Sequence, residues 1–233
     1  AVPGLEYPRR PALPPGRRMT PPQLYLASAS PRRRELLDQV GISYELIGGL
    51  DVDESRLSDE TPEEYAMRLA CEKARAGQVA LAARAPPAAV VLGADTCIAL
   101  DGNILGKPVD RDHGLAMLAE LSGRSHEVLT AICLLQGETS RTALSRSVVA
   151  FAPLEAVDIV AYWDTGEPVG KAGAYAIQGQ AARFITRLEG SYSGVVGLPV
   201  YELSQLLSTF NHQDHAPGNT DQCHTPGDTC SGS

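Results

Sequence analysis

Apolar positions in the middle of the chain recur in two rhythms, one suited to strands and one to helices. Leu24 to Ala27 is a short apolar run, and Ser30-Pro31 then supplies an N-cap residue and a proline at the first helical position. The spacing predicts a helix from there to about Val40, stopped by Gly41. Thr61-Pro62-Glu63-Glu64 has capping-box spacing, and Tyr65, Leu69, Ala76 and Val79 follow at roughly helical intervals, predicting a second, longer helix. Ala88 to Leu92 reads as a buried strand ending at Gly93. Ile98 to Ile104 reads as a hairpin with Asp101-Gly102 at its turn. Leu115, Leu118 and Leu121 mark a third helix closed by Ser122-Gly123. Val128–Leu135 and Ala143–Phe151 read as longer strands, and 154–163 as a helix closed near Gly166. Arg183–Leu188 reads as a strand, and Pro199 opens a last helix through Tyr201, Leu203, Leu206 and Leu207. Interleaved strands and helices predict an α/β domain with a mixed sheet over residues 23–211.

The flanks break this rhythm. Residues 1–22 hold seven of the seventeen prolines and the pairs Arg9-Arg10 and Arg17-Arg18, predicting a disordered lead-in with Met19 as the natural start. Residues 212–233 also read as unfolded; their His212, His215, Cys223, His224 and Cys230 lack the tight, turn-framed spacing of a zinc site.

Composition narrows the function. With 43% apolar residues in a chain of 233, a core is affordable, yet no run reaches the roughly 18 to 20 apolar residues of a membrane-spanning helix. Twenty Lys and Arg against 28 Asp and Glu give a net charge of -8, which opposes broad contact with nucleic acid or an anionic membrane. Cys71, Cys97 and Cys133 have no CxxC spacing, as suits reduced thiols in a cytoplasmic protein.

Five segments carry candidate chemistry. Ser28 to Arg34 runs from a strand end into a helix N-terminus, where free N–H groups, hydroxyls and guanidinium groups converge; this is either an anion site or a plain cap with solvated arginines. Asp95, in Gly93-Ala94-Asp95-Thr96, is placed at the carboxyl end of a strand, to bind a cation, activate water or merely turn the chain. Gly106-Lys107 offers close backbone approach and a point charge. Asp51-Val52-Asp53-Glu54, with Glu72-Lys73 beyond it, is either a solvated acidic loop or the carboxylate side of a magnesium-assisted phosphate site. Around Lys171 and Gln178 small residues surround a lysine and an amide; the amide can read a base edge or satisfy a strand end. Gly102 to Lys107 falls one residue short of the Walker spacing and lacks its Ser/Thr. Tyr192 sits where a nucleophile elbow needs serine, and neither H-E-x-x-H nor G-x-G-x-x-G is present. His113 and His126 are isolated.

Taken together, LASASPRR, GADT, LGKP, LSGRSHEVLT, EPVGKAGAYAIQG and VVGLP follow one another in an order and spacing that resemble the Maf family of nucleotide pyrophosphatases, once linked to septum formation. The resemblance covers essentially residues 24–210. It implies a single elongated α/β domain, similar to the inosine triphosphatase architecture, with two lobes flanking a cleft and commonly a homodimer. It also implies a divalent metal, Mg2+ or Mn2+, and hydrolysis of a nucleoside triphosphate to the monophosphate and pyrophosphate. Arg32, Thr96 and Gln178 match the group acting on dTTP and UTP rather than the one acting on 7-methyl-GTP.

By position, the resemblance makes Asp95 the general base and, with Glu54, a holder of the metal, with Asp53 a lesser helper. Ser28, Arg32, Arg33, Lys73 and Lys107 would hold the phosphates, and Thr96 and Gln178 would select the base. Two departures stand out. Gly170 replaces an aspartate usual before Lys-Ala-Gly, which predicts a less well oriented loop, and Ser193-Gly194 replaces bulkier residues, which predicts a looser cleft wall. The competing readings are a nucleotide-sensing regulator of division and a nucleic-acid binder using Arg32 to Arg34. The second is opposed by the acidic total and the lack of an aromatic stacking surface.

Overall fold

The computed structural model describes residues 23–82 and 89–210. The expectations for residues 1–22, Met19, Ala88 and 212–233 with their histidines and cysteines lie outside the described residues. In chain order the elements are β1 (Leu24–Ala27), α1 (Pro31–Gln39), β2 (Tyr44–Leu46), α2 (Pro62–Leu81), β3 (Val90–Leu100), β4 (Asn103–Leu105), α3 (Arg111–Leu121), β5 (Ser125–Gln136), β6 (Thr139–Phe151), α4 (Ala156–Trp163), β7 (Ile185–Glu189), α5 (Tyr192–Val196) and α6 (Val200–Phe210). Short 3-10 turns occupy Ala172–Ala174 and Gln180–Phe184. One mixed sheet of seven strands runs β2-β1-β3-β5-β6-β7, with β4 on β3. β1 lies parallel to β2 and β3; the remaining pairings are antiparallel.

Local signals act where expected. Thr61 and Glu64 form a reciprocal capping box at the start of α2. Asp101 and Gly102 both take positive φ, 51° and 79°, the conformation of a two-residue turn between β3 and β4. The two faces of the sheet are covered unequally. On one face Leu92, Ala94 and Ile98 of β3 join Leu37, Leu118, Tyr162 and Leu203 from α1, α3, α4 and α6. On the other, α2 packs Ala66, Ala70 and Ala74 against Cys97, Leu129, Ala131 and Cys133. The alternation of a strand therefore sends Gly93, Asp95 and Cys97 towards α2, and Ala94, Thr96 and Ile98 away from it.

Gly93 does not end its strand. β3 continues through it to Leu100, paired along its length with β5 from Val91↔Leu135 to Ala99↔Glu127, so Asp95 lies inside a strand rather than at its carboxyl end. The glycine serves packing instead: a Cβ there would lie 2.1 Å from the Ala70 carbonyl oxygen and 2.5 Å from the Ala74 nitrogen. Gly77 meets Ala27 in the same way, so α2 presents a face of small residues and comes close to the sheet. Val79 is 76% exposed and Leu69 fully buried; the buried face of α2 consists of Ala66, Ala70, Ala74 and Gly77 with Leu69 and Leu81. β2 and α5 carry no strong periodic signal, and the Arg183–Leu188 strand starts only at Ile185, after a 3-10 turn.

On the opposite face His126 is buried, its Nε2 lying 2.8 Å from the Tyr175 hydroxyl and its ring edge-on to Phe151 and Tyr175. Burial lowers its pKa to about 4. This cluster anchors the segment that leads from Tyr175 to Gln178.

Gly93→Ala should destabilise the protein by about 2 kcal/mol or more, because the backbone of α2 must retreat, and urea unfolding measures this directly. The depressed His126 pKa makes the folded state the poorer proton acceptor. Its contribution to stability is complete above about pH 6.5 and is lost as the pH falls from there towards 4. Stability should drop by about 2 kcal/mol between pH 6.5 and 5, a slope that His126→Gln should lack.

Candidate active site

A gap in the strand pairing creates the site. β1 covers β3 only from Val90 to Gly93, and β4 covers it only from Ile98 to Leu100, both on the edge opposite β5. Between them Ala94 to Cys97 have no described strand neighbour on that edge. The chain leaves β1 through Ser28 and leaves β4 through Gly106 and Lys107, so both exits border the gap. A cleft of about 1070 Å³ opens there, lined by five cationic side chains (Arg32, Arg33, Lys73, Lys107, Lys171) and three carboxylates (Glu35, Glu54, Asp95). In a chain of net charge -8, this local excess of positive charge favours an anionic ligand.

At its centre Lys73 Nζ, from α2, donates to Asp95 Oδ1 at 2.6 Å and Glu54 Oε1 at 2.7 Å; Lys107 Nζ donates to the other Glu54 oxygen at 2.7 Å. The reach of Lys73 depends on the close approach of α2 that Gly93 permits. Glu54 is brought in by its loop, which α2 holds: the Tyr65 hydroxyl donates to the Glu54 carbonyl, and Arg68 binds the Ser55 carbonyl and the Glu60 carboxylate. Burial would raise the Glu54 pKa, but the hydrogen bonds from Lys107 and Lys73 outweigh it and hold the carboxyl at about 2. Tyr65 moves the other way, to about 12, through burial and the charges of Asp95 and Glu54.

Asp53, expected as a helper, accepts from the Ser55 backbone nitrogen and lies outside the cleft lining. Its carboxylate stabilises its own turn, a common use of aspartate in loops.

On the far face Arg33 is almost fully buried. Nε donates to the Gly197 carbonyl at 2.8 Å, Nη1 to Ser28 Oγ at 2.8 Å, and Nη2 approaches Thr96 Oγ1 at 3.4 Å. It therefore ties α1 to the residue after α5 as well as facing the cleft. Burial lowers its pKa, opposed by the charge of Asp95. Arg32 is half-buried, and its Nε has no hydrogen-bond partner among the described residues. Gln178 is exposed on the opposite wall, which Glu167 holds by accepting from the Tyr162 hydroxyl and the nitrogens of Gln180 and Ala181.

Gly170 has φ 71°, where glycine is at ease, and the loop is held by the Lys171 ammonium on the Glu167 carbonyl. Nor is the wall loosened at Gly194: a Cβ there would meet Ser145 Oγ at 2.9 Å. Two residues at the site escaped the sequence reading, the Tyr65 hydroxyl and Thr130. Thr130 was detectable as a lone hydroxyl in the apolar run Val128–Leu135.

Among the described residues no group of three or more His, Cys, Asp or Glu is arranged to hold a metal. Asp95 and the strongly acidic Glu54 still suit a hard divalent cation that takes its remaining ligands from water and phosphate oxygens. No described helix is long and apolar enough to cross a membrane.

The sequence profile of the Maf-like protein family matches residues 23–210, the whole described domain. The chain belongs to the Maf family. It is 53% identical over 193 residues to a dTTP/UTP pyrophosphatase of Burkholderia pseudomallei (strain 1710b), covering 80% of this chain and 92% of that protein. It is 54% identical to one of Xanthomonas axonopodis pv. citri (80% and 98%) and 51% identical to one of Alkalilimnicola ehrlichii (83% and 96%). Among solved structures, a nucleoside-triphosphatase / dITP/XTP pyrophosphatase of Mycobacterium abscessus is 21% identical with a TM-score of 0.33, over 57% of this chain and 74% of that one; so weak a likeness carries no weight here.

The shared cation makes a measurable demand on this Maf domain. Lys73→Gln should raise the Glu54 carboxyl by about one unit or more, read by NMR titration of the side-chain carboxyl carbon. An unmoved Glu54 would mean that Lys107 alone holds it.

Proposed function

We propose that this Maf protein hydrolyses dTTP and UTP to the monophosphate and pyrophosphate, with Asp95 activating the attacking water. The observation that carries the reading is the meeting of Asp95 and Glu54 on one ammonium, inside a cleft with an excess of cations. The names of relatives 51–54% identical point to the same substrates.

In this reading Arg32, Lys107 and the N-terminus of α1 with Ser28 bind the triphosphate. Arg33 orients Ser28 and Thr96, to which it is hydrogen-bonded. Asp95 is 7% exposed, and its Oδ2 has no hydrogen-bond partner among the described residues while Lys73 holds Oδ1. It can therefore accept the proton of a water that attacks the α-phosphorus, and the bond to the bridging oxygen of the β-phosphate breaks to release pyrophosphate. Lys73 and Lys107 stabilise charge that builds on the departing oxygens. Glu54 and Asp95 would hold a divalent cation, Mg2+ or Mn2+, whose role when bound is to offset phosphate charge. Thr96 and Gln178 face the base. A cytoplasmic setting, a homodimer and a part in clearing surplus or modified pyrimidine triphosphates, with its link to septum formation, belong to the same proposal.

Pyrophosphate release with magnesium over a panel of dTTP, UTP, CTP, GTP and 7-methyl-GTP should be fastest with dTTP and UTP. Asp95→Asn should slow it by roughly two to four orders of magnitude while the protein stays folded. Release confined to 7-methyl-GTP would overturn the substrate, release of orthophosphate alone the reaction, and full activity of Asp95→Asn the role of the aspartate.

A further inference from the structure

Thr96 and Thr130 face each other across β3 and β5, on the side of the sheet away from α2. Thr130 is fully buried; Thr96 is partly exposed to the cleft. Thr130 Oγ1 lies 2.7 Å from the Gly194 carbonyl oxygen and 3.0 Å from Thr96 Oγ1. A hydroxyl has one proton to give, and a carbonyl can only accept. The shorter contact therefore takes the Thr130 proton, and the lone pair left on Thr130 Oγ1 accepts the proton of Thr96. At the other end Arg33 Nη2, which can only donate, approaches Thr96 Oγ1 at 3.4 Å. The chain has one polarity: Arg33 N–H to Thr96, Thr96 O–H to Thr130, Thr130 O–H to the Gly194 carbonyl. Successive bonds of one sense reinforce each other in a buried setting.

We infer that Thr130 is a positioning residue for base recognition: by taking the Thr96 proton, it leaves Thr96 facing the cleft as an acceptor only, matched to a nucleobase with a ring N–H. Uracil and thymine carry such a donor at N3, whereas N3 of cytosine is itself an acceptor and would meet lone pair with lone pair. This rests on the proposed reading that Thr96 faces the base. Gly194, the residue that looked like a gap in the cleft wall, supplies the terminal acceptor, and its own nitrogen is held by Ser191 Oγ at 3.0 Å.

Thr130→Val keeps the shape and removes the acceptor for the Thr96 proton, so Thr96 becomes free to donate. The ratio of kcat/KM for UTP over CTP should fall roughly tenfold, with turnover of CTP rising in absolute terms, a gain that a merely damaged fold does not produce. Thr130→Ser retains the hydroxyl and should hold the wild-type ratio within about threefold. Should the valine protein be insoluble, Thr130→Ala, which adds no bulk, takes its place with the same expectation. A wild type that cleaves CTP as fast as UTP sinks the base-recognition reading itself. A wild-type preference for UTP that survives in Thr130→Val, or that is lost equally in Thr130→Ser, sinks only the role of Thr130.

Discussion

One ammonium between two carboxylates organises this molecule. Without Lys73, Asp95 and Glu54 would lose the cation they share, and Lys107 alone would be left to hold Glu54. With it, both are held near the cations that line the same space, and Glu54 stays ionised far below neutral pH. Coulombic attraction supplies the energy, but the backbone supplies the distance. Lys73 reaches β3 because α2 lies close to the sheet, and it lies close because Gly93, Gly77 and three alanines leave no side chains in the way.

The alternation of β3 divides the labour at the cleft. Asp95 points to the α2 face, where Lys73, Tyr65 and the Glu54 loop converge. Thr96, the next residue, points to the other face, into a hydroxyl chain framed by Arg33, Thr130 and Gly194. Both reach the same cleft only because the edge of β3 between β1 and β4 is left unpaired. The chain is a member of the Maf family and more than 50% identical to several dTTP/UTP pyrophosphatases. The structure adds which side chains hold which others in place.

The elements with local causes were legible. A capping box starts α2, Pro31 at the first helical position starts α1 although the Ser30 side chain makes no capping hydrogen bond, and Asp101-Gly102 turns the β3–β4 hairpin, because each signal acts within a few residues of chain. What failed involved partners far away in the chain. Gly93 reads as a terminator until the carbonyl of Ala70 is seen against it. Val79 reads as core, although the buried face of α2 passes through Ala66, Ala70, Ala74 and Gly77 and leaves it in solvent. Asp53 and Glu54 are neighbours of one chemical kind, yet one completes a turn and the other meets two lysines.

The sequence by itself determined the α/β class, the order of most elements and the six motifs that carry the family resemblance, since hydrophobic rhythm and short-range capping are properties of a continuous stretch of chain. Only the tertiary structure decided that residues 54, 73, 95 and 107 share one set of charges, and which way the hydroxyl protons of Thr96 and Thr130 run. Ion pairing and hydrogen-bond polarity depend on distances of 2.6 to 3.0 Å between segments 19 to 64 residues apart, and no local pattern encodes those.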